Sequence, residues 1–560
     1  MEFLDARRLT GPSLLFDGPA AILDVACTAD EAGRLEPVWR ARVERMHQLL
    51  GWQAAEFSRQ NFAGGVSLAF TAAIDALYAA SEINEWAWAE CDAEFNAADA
   101  PNFDETIAAL RESFAEEAND ELLAMQSAAA AHAVTFLWDD DEMSLGLGRT
   151  SRTWPVRELP LIEELEWEQF ADVPIGLVTG TNGKTTTVRL ATHILRGANL
   201  NVGLSSTDWI AVNDRIIDRG DWSGPGGARA VLRQEDVDVA ILESARGGLL
   251  RRGLGVELAD VALITNIAED HLGDFGSQNL DELLDVKWIV SRAVREHGRL
   301  ILNADDELLV GKSAAYPGEI VWFSLVGANA VVSAHVAAGE PAFVLDGKEL
   351  VRIERGVRGL ICHDHEIPIA LGGAARHNVA NALAAAALAW CLGSSLADIR
   401  AGLTSMSQDE NPGRCNVYDI DCRKVLIDFA HNPHAMQALF DMARALPAKR
   451  RILCFGQAGD RPDDLIRELA RDAWAIGLDR VIVSELAQYY RGREEGEVYA
   501  VIRDELIRLG AAPEQIEHHD EESESLAAAM AWAEAGDLVI MLALGGAAPI
   551  QQQLKAMGAS

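Results

Sequence analysis

One stretch, residues 175 to 187, constrains the fold more than any other part of the chain. It reads Ile-Gly-Leu-Val-Thr-Gly-Thr-Asn-Gly-Lys-Thr-Thr-Thr. The apolar start is typical of a buried strand, the glycines predict a tight turn, and the residues from Lys184 to Leu195 are predicted to form a helix. A strand, a glycine turn and a helix together point backbone N–H groups at an anion. The stretch therefore predicts a phosphate-binding loop.

The loop is a shortened form of the usual one, because Val178 stands where a glycine is expected five positions before Gly183. Lys184 would add positive charge at the β- and γ-phosphates, and Thr185 would offer a hydroxyl to Mg²⁺. The alternative is a tight turn with a chance lysine, which the strand and helix on either side disfavour. The predicted nucleotide-binding residues of the loop are Gly180, Thr181, Asn182, Gly183, Lys184, Thr185 and Thr186.

The chain is strongly acidic, with 48 basic and 87 acidic residues among 560 and a formal net charge of −39. Such a surface repels nucleic acid and anionic membranes, so neither is expected as a partner. It would attract a cationic substrate, although solubility alone also explains an excess of acid. No apolar run reaches the length of a membrane span.

The seven cysteines form no Cys-x-x-Cys pair, and their number is odd. This favours reduced thiols over a disulfide framework. The first residues, Met-Glu-Phe-Leu-Asp-Ala-Arg-Arg, lack the basic and then apolar pattern of a secretion signal. We therefore expect a cytoplasmic protein.

Patterns along the chain predict an α/β fold with three regions. Residues 1–170 are predicted to form an α+β region with helices at 39–50, 70–78 and 102–130. Residues 171–408 alternate apolar strands and helices, which is typical of a doubly wound parallel sheet, and short strands within them predict a small antiparallel insertion. Residues 409–560 begin at a polar hinge and continue as a second, Rossmann-like unit.

Polar side chains follow the strands of the predicted central sheet. Ligands bind outside the carboxyl ends of such strands. Glu243 ends an apolar run where a second Mg²⁺ ligand belongs, since carboxylate and hydroxyl oxygens suit that ion. Asn266, His271 and Asn303 also follow strands, and Lys287 lies on a later helix. Taken singly, His271 would be interpreted as a structural histidine and Lys287 as a solvated lysine.

Taken together, eight motifs occur in the order that is typical of the Mur ligase family, and the chain resembles that family from about residue 171 to 550. They are G-T-N-G-K-T-T from Gly180, Glu243, T-N-I-A-E-D-H-L from Thr265, Lys287, L-N-A-D-D from Leu302, R-H-N-V-A-N from Arg376, P-G-R from Pro412 and D-F-A-H-N-P from Asp428.

Four stretches resemble the ligase half of the cyanophycin synthetases in particular. They are G-D-W-S-G-P from Gly220, E-S-A-R-G-G-L-L-R-R-G-L from Glu243, G-D-R from Gly459 and R-G-R-E-E-G-E from Arg491. The opening R-R-L-T-G-P-S from Arg7 also resembles the N-terminal domain of those proteins. They carry an ATP-grasp module before the ligase half, whereas here residue 170 passes almost directly into the P-loop region. We therefore expect one ligation, without extension of an aspartate backbone.

The resemblance implies an ATP-dependent carboxylate–amine ligase with ATP and Mg²⁺ as cofactors. An acceptor carboxylate attacks the γ-phosphate to give an acyl phosphate and ADP, and an amine then displaces phosphate to form an amide. The implied metal ligands are Thr185, Glu243, His271 and Lys287, the last as a carbamylated lysine. The implied catalytic residues are Lys184, Glu243, His271, Lys287 and His431.

The resemblance also implies contacts to ATP outside the loop, at Asn266, Asn303, His377, Asn378, Arg414 and Asp428. The substrate residues are predicted from charge and position. Arg246 and Arg251 closely follow Glu243 in the sequence, and their positive charge suits an acidic, peptide-like acceptor. Ser223, in the G-D-W-S-G-P stretch, is also predicted to bind substrate. The mixed charges of the third region suit an amino acid, including a basic one, and the predicted residues are Asp460, Glu485, Arg491, Arg493 and Glu497.

Three functions stay open at this point. The first is an amide ligase that resembles the arginine-adding half of cyanophycin synthetase, and the second is a Mur-type ligase with a folate-like or cell-wall acceptor. The third is a nucleotide-binding partner that has lost catalysis, which the intact residues Lys184, Glu243, His271 and Lys287 argue against. The amino acid and the oligomeric state are not determined. We hypothesise that residues 1–170 bind the acceptor, or a partner ligase that supplies it.

Overall fold

The computed structural model of the protein describes residues 1–52, 54–270 and 279–558. Their strands form four sheets, of eleven, six, four and three strands. Each sheet lies within one of the three predicted regions, and the fold is α/β as predicted. The region boundaries themselves stay predictions.

The N-terminal region contains an antiparallel sheet covered by helices and a smaller three-stranded sheet. Its elements are β1 (Glu2–Leu9), β2 (Ala20–Ala26), α1 (Ala29–Leu50), β3 (Phe57–Phe62), β4 (Gly65–Thr71), α2 (Leu77–Asn96), α3 (Phe103–Glu117), α4 (Asp120–Ala131), β5 (Phe136–Trp138), β6 (Glu142–Leu145) and β7 (Arg152–Pro155). The larger sheet has the order β1-β2-β4-β3, and α1 and α2 pack on it.

The helix predicted at residues 70–78 is wrong. Strand β4 continues to Thr71, and α2 begins only at Leu77. Phe70 pairs with Ala21 on one side and Phe57 on the other, and its ring packs near Trp39 in the core. Pairing on both edges of the strand outweighs the helix-like spacing of the apolar residues.

The central region is one sheet with helices on both faces. Its elements are β8 (Ile175–Thr179), α5 (Lys184–Gly197), β9 (Val202–Ser205), β10 (Trp209–Val212), β11 (Arg215–Arg219), α6 (Pro225–Leu232), β12 (Val239–Glu243), α7 (Arg246–Arg252), β13 (Ala259–Ile264), α8 (Leu280–Trp288), β14 (Val294–Asn303), α9 (Glu307–Ser313), β15 (Glu319–Ser324), α10 (Ala330–Ala337), β16 (Ala342–Asp346), β17 (Glu349–Glu354), β18 (Val357–His363), α11 (Arg376–Cys391) and α12 (Leu396–Ser405).

The middle of this sheet is parallel and its two edges are antiparallel. The order is β11-β10-β9-β12-β8-β13-β14-β15-β16-β17-β18, and the strands from β9 to β16 run parallel. The predicted antiparallel insertion is present, and its strands β17 and β18 continue the central sheet. One apolar core lies under α6 to α9 and the other under α5, α11 and α12. The alanine-rich α11 is buried because small side chains let it lie close to α5 and the sheet.

The third region is a mostly parallel six-stranded sheet. Its elements are β19 (Asn416–Ile420), β20 (Arg423–Asp428), α13 (Pro433–Ala445), β21 (Arg451–Phe455), α14 (Asp463–Trp474), β22 (Arg480–Ser484), α15 (Glu497–Arg508), β23 (Ile516–His519), α16 (Glu522–Trp532), β24 (Leu538–Leu542) and α17 (Ala547–Ala556). The order is β19-β20-β24-β21-β22-β23, with only β19 antiparallel to its neighbour. Within the described ranges, no helix combines the length and the apolar character needed to cross a bilayer.

Candidate active site

The phosphate-binding loop follows β8 in the parallel part of the central sheet. Its glycines have positive φ angles, +141° at Gly180 and +85° at Gly183. A Cβ atom at Gly180 would lie 1.9 Å from Thr265 Oγ1, and one at Gly183 would lie 2.2 Å from Asn381 Oδ1. Only glycine fits these positions, so the loop can turn sharply into α5, which begins at Lys184.

Side chains that follow β13 hold the loop in this shape. Thr265 Oγ1 donates a hydrogen bond to the Asn182 carbonyl at 2.7 Å. The Asn266 side-chain amide donates to the same carbonyl at 3.0 Å and accepts from the Asn182 N–H at 3.0 Å. Asn266, predicted to contact the nucleotide, therefore supports the loop that would contact it.

Two lysines donate to one carbonyl oxygen in the loop. Lys184 Nζ lies 3.0 Å from Gly180 O and 2.9 Å from Thr181 O, and Lys287 Nζ lies 2.9 Å from Gly180 O. Lys287 is 3% exposed. Burial, together with the nearby charge of Lys184, lowers the pKa of its amine well below the ordinary value. Such an environment favours a neutral, nucleophilic amine.

Glu243 ends β12 as a buried carboxylate between two hydroxyls. Thr185 Oγ1 donates to Glu243 Oε2 at 3.0 Å, and Thr207 Oγ1 donates to Oε1 at 2.8 Å. Thr207 is missing from the sequence-based candidates. It lies just after β9, which pairs with β12, so its place at a strand end was the signal that could have found it.

The residues around Glu243 fit Mg²⁺ bound together with a nucleotide. Mg²⁺ prefers hard oxygen ligands and usually keeps substrate phosphates and water in its shell, and Thr185 and Glu243 supply a hydroxyl and a carboxylate. Among the described residues, no group of three His, Cys, Asp or Glu side chains could hold a metal ion by itself. His271, another predicted ligand, lies outside the described residues.

A cavity of about 890 Å³ lies beside the loop, between the central and third regions. Cavities of this size accommodate cofactors. Asn303 and Asn378 have fixed amides, because they donate to the carbonyls of Thr265 at 3.0 Å and Ile369 at 2.8 Å. The cavity is lined by the predicted residues Asn266, Asn303, His377, Asn378, Arg414, Asp428 and His431.

A thiol lies between two of these residues. His377 Nε2 is 3.0 Å from Cys415 Sγ, and the Cys415 N–H donates to Asp428 at 2.8 Å. Burial lowers the pKa of His377 and raises the pKa of Cys415 well above its ordinary value. Both groups are therefore favoured in their neutral forms. Cys415 was not among the predicted residues, although it directly follows Arg414.

Arg414 and His431 reach the cavity from the third region. The Arg414 guanidinium lies over the Phe429 ring, 4.7 Å from its centroid, and 3.8 Å from the Asp208 carboxylate. His431 Nε2 lies 3.6 Å from Asp270 of the central region. Both side chains belong to the third region and lie near a carboxylate of the central region, Asp208 for Arg414 and Asp270 for His431.

Two further contacts join the central and third regions and were not predicted. The side-chain amides of Asn182 and Asn432 exchange hydrogen bonds at 3.2 and 3.0 Å. Arg189 of α5 is buried and donates to Asn411 at 3.1 Å and to Asp208 at 2.5 Å. Burial lowers the pKa of Arg189 to about 10. The phosphate loop and the hinge are therefore tied to each other.

Two of the predicted acceptor residues, Ser223 and Arg246, lie at the starts of α6 and α7. The Ala245 N–H donates to the Ser223 carbonyl at 2.8 Å, which joins the two helix starts. Arg246 begins α7, and its charge contributes to the lowered pKa of Lys287. Arg251 is exposed on the last turn of α7. Arg246 is thus electrostatically coupled to the phosphate loop.

The predicted amine residues of the third region pair with one another and with their own loops. Arg491 forms an ion pair with Asp460, and both are more than a third exposed. Arg493 donates to the carbonyls of Gly459 and Arg461, each at 2.7 Å.

The two predicted acids of this set are also engaged. Glu485 is buried and lies 2.8 Å from His518, and Glu497 accepts from the Glu494 N–H at 3.1 Å. The residues that line the 890 Å³ cavity include none of the five predicted amine residues, all of which the structure describes. Their role in substrate binding stays a prediction.

Comparison with known families gives two matches. Residues 178–389 match the Mur ligase middle domain, and residues 413–545 match the Mur ligase glutamate ligase domain. Among solved structures, E. coli FolC in complex with DHPP and ADP is similar to this chain, with a TM-score of 0.50 and 20% sequence identity. The match covers 68% of this chain and 89% of the FolC chain. This likeness concerns the fold.

Curated relatives show higher sequence identity. Cyanophycin synthetase of Crocosphaera subtropica is 35% identical over 350 residues, which cover 61% of this chain and 39% of that protein. A UDP-N-acetylmuramoyl-tripeptide–D-alanyl-D-alanine ligase of Synechocystis sp. is 30% identical over 326 residues, covering 56% of this chain and 62% of that protein. The chain spans about two fifths of the length of the cyanophycin synthetases it matches. Through its middle and glutamate ligase domains, the chain belongs to the Mur ligase family.

Proposed function

We propose that the protein is an ATP-dependent ligase that joins the amine of an amino acid to a carboxylate of an acidic, peptide-like acceptor. The observation that carries this proposal is the buried group at the phosphate loop, where Lys184, Lys287 and the Thr185–Glu243 pair surround one turn of backbone. The Lys184 cation, a hydroxyl and a carboxylate in this arrangement suit the transfer of a phosphoryl group. The likeness to cyanophycin synthetases supports an acidic acceptor.

In the first step, an acceptor carboxylate oxygen bonds to the γ-phosphorus of ATP, and the bond to the ADP oxygen breaks. Lys184 would exchange its two backbone carbonyl partners for phosphate oxygens and stabilise the developing charge. Mg²⁺, when bound, would neutralise the phosphates, with Thr185 and Glu243 as its protein ligands.

In the second step, the amine nitrogen bonds to the acyl carbon, and phosphate leaves with the bonding electrons. The amine must lose a proton, and His431 is our candidate to accept it. It lines the cavity and lies near Asp270, whose negative charge would stabilise the imidazolium.

We also propose that Lys287 becomes carbamylated. A neutral amine adds to CO₂ and loses a proton to give a carbamate anion, and burial favours the neutral amine here. The carbamate anion would replace the neutral Lys287 amine and give Lys184 a partner of opposite charge. Added small carboxylates should therefore partly restore the activity of Lys287→Ala, whereas an untreated Lys287→Ala protein should be nearly inactive.

Arg246 and Arg251 are proposed to bind the acceptor, because a carboxylate-rich molecule needs local positive charge on a chain whose net charge is −39. A cytoplasmic location is part of the proposal. All seven cysteines are unpaired, as is usual in a reducing compartment.

The decisive experiment measures ADP and amide formation with each amino acid in turn against a panel of aspartyl peptides. Arg246→Ala with Arg251→Ala should raise the acceptor KM far more than the ATP KM. Arg215→Ala is the matched control, because that arginine pairs with Asp236 at the far edge of the sheet. If amide forms only with folate-like or cell-wall acceptors and not with aspartyl peptides, the proposed acceptor class is wrong. ADP formation without amide for every pair would favour a non-catalytic partner.

A further inference from the structure

The N-terminal region contacts the two helices that carry Arg246 and Lys287. We propose that residues 1–71, called the mount below, hold α7 and α8 in position. The positioning residues are Arg7, which belongs to the mount, and Arg292, which follows α8 and bonds to the mount. The mount would set the acceptor site and the Lys287 amine without touching either substrate. The roles of Arg246 in acceptor binding and of Lys287 in catalysis rest on the proposed function. Whether the mount stabilises α7 and α8 can be measured without any substrate.

The loop after β1 is bonded to the end of α7 through backbone atoms in both directions. The Thr10 N–H donates to the Arg252 carbonyl at 2.8 Å, and the Leu254 N–H donates to the Pro12 carbonyl at 2.7 Å. A Cβ atom at Gly11 would lie 2.2 Å from Leu254 O. The two backbones therefore approach more closely than any side chain would permit.

Arg7 joins the same end of α7 to the N-terminal sheet. Its Nε donates to the Leu250 carbonyl at 3.2 Å, and its Nη1 donates to Asp24 at 2.5 Å. Arg7 is 9% exposed and Asp24 is 4% exposed. The last carbonyls of a helix lack partners within the helix, so Arg7 supplies one from a residue 243 positions away in the sequence.

Helix α8 is held near both of its ends. The Ala63 N–H, in the turn between β3 and β4, donates to Glu282 in the first turn of α8 at 2.9 Å. Arg292, four residues after α8, donates to the Ser13 carbonyl at 2.5 Å and pairs with Asp17 at 2.6 Å. Lys287 lies on the stretch between these two contacts.

Short helices need such support. Helix α7 has 7 residues and α8 has 9, and isolated helices of this length are not stable in water. Their positions depend on tertiary contacts, and the N-terminal region supplies contacts at the end of α7 and at both sides of Lys287. A mount of this kind affects catalysis even if the acceptor never binds to the N-terminal region.

The test compares three variants of the full chain, namely Arg7→Gln, Arg292→Gln and the control Arg42→Gln. Arg42 is a partly buried arginine whose partners Val38, Glu90 and Glu94 all lie within the N-terminal region. Hydrogen exchange of the peptides covering residues 246–252 and 280–288 needs no substrate. We expect Arg7→Gln to speed exchange in the first peptide and Arg292→Gln in the second, each by about tenfold, because local opening becomes easier.

Steady-state kinetics give the second measurement. Arg7→Gln should raise the acceptor KM with little change in the ATP KM, and Arg292→Gln should lower kcat through Lys287. Arg7→Gln removes the cationic partner of the buried Asp24, whose carboxylate keeps only the hydrogen bond from Ser67 among the described residues, and the variant can fail to fold. Arg292 is 35% exposed, and its replacement should not unfold the chain.

If Arg7→Gln and Arg292→Gln fold but hydrogen exchange is unchanged in both peptides, the proposed role of the mount is wrong. Equal acceleration in Arg42→Gln would overturn it as well, because the effect would then be general loosening of the region. If no acceptor is ligated at all, the proposed function fails, but the exchange experiment still decides whether the mount exists.

Discussion

The phosphate loop and the predicted amine site differ in how their charged groups are held. At the loop, Lys184 and Lys287 donate to backbone carbonyls, and Lys287 is buried. In the third region, Asp460 and Arg491 form a pair in which both side chains are more than a third exposed. The loop draws its residues from distant segments of the chain, whereas the third-region set lies mainly in two neighbouring loops.

The lysines of the phosphate loop have no carboxylate partner in the hydrogen bonds described above, whereas Asp460 and Arg491 of the predicted amine site already neutralise each other. The partly buried Lys184 cation gains strongly when a phosphate arrives, because electrostatic interactions are strong where water is largely excluded. An exposed ion pair must first be broken to bind an amino acid, and such pairs contribute little by themselves. We therefore expect changes at the loop to have much larger effects than changes in the third region.

The largest effect is expected for Lys184→Ala. It removes a charge that acts on the transferring phosphate, and losing one such contact typically costs about 10²–10³ in rate. Single-turnover ADP formation measures the loss. Lys312→Ala is the control, because that lysine pairs with Asp285 and does not line the cavity beside the loop. Turnover as fast as in the unchanged protein would show that the loop is not the site of phosphoryl transfer.

Lys287→Met should abolish most activity and also stabilise the fold in bicarbonate-free buffer. The folded-state pKa of Lys287 lies well below its ordinary value of 10.5. Below that lowered pKa, the folded protein buries a charge, and this cost is fully present. As pH rises from the lowered pKa towards 10.5, the folded protein releases its proton before the unfolded chain does, so the cost disappears.

The gain in unfolding free energy for Lys287→Met should therefore be greatest at low pH and shrink as pH rises towards 10.5. Denaturant titrations of both proteins at several pH values measure it. Adding bicarbonate should reduce the gain, because a carbamate would stabilise the unchanged protein only. A gain that does not depend on pH would mean that packing, rather than charge, is responsible.

The smallest effects are expected for Asp460→Asn and Arg491→Gln. Each should raise the KM for the amino acid while changing stability by about 1 kcal/mol or less, since the pair is exposed. Arg503→Gln is the matched control, because Arg503 pairs with Asp504 on the surface of α15. A loss as large as that of Lys184→Ala would mean that the pair takes part in the chemistry and that the two sites are not so different.

Several parts of the candidate site were accessible from the sequence because they lie within short motifs. The two glycines and Lys184 of the loop are an example, since a local turn is encoded by neighbouring residues. Glu243 could be placed because an apolar run ends at it. Thr207 could have been found by the same rule.

Other residues could not be found in this way. Asn432, Arg189 and Asp208 have partners far away in the sequence, namely Asn182, Asn411 and Arg414. Nothing in the neighbouring residues specifies an amide pair across 250 positions. The helix predicted at 70–78 failed for the same reason, because two strands that pair with β4 decide its conformation.

The sequence by itself determined the family, the α/β fold class, the phosphate loop and the carboxylate at the end of β12. The family follows from the resemblance of eight ordered motifs. The fold class, the loop and the carboxylate follow from local turn chemistry and from the alternation of apolar strands and helices, which neighbouring residues specify. The tertiary structure alone decided that Lys184 and Lys287 share the Gly180 carbonyl and that Arg7 reaches the end of α7. Such contacts arise when distant segments pack together, and packing depends on the whole chain rather than on any one motif.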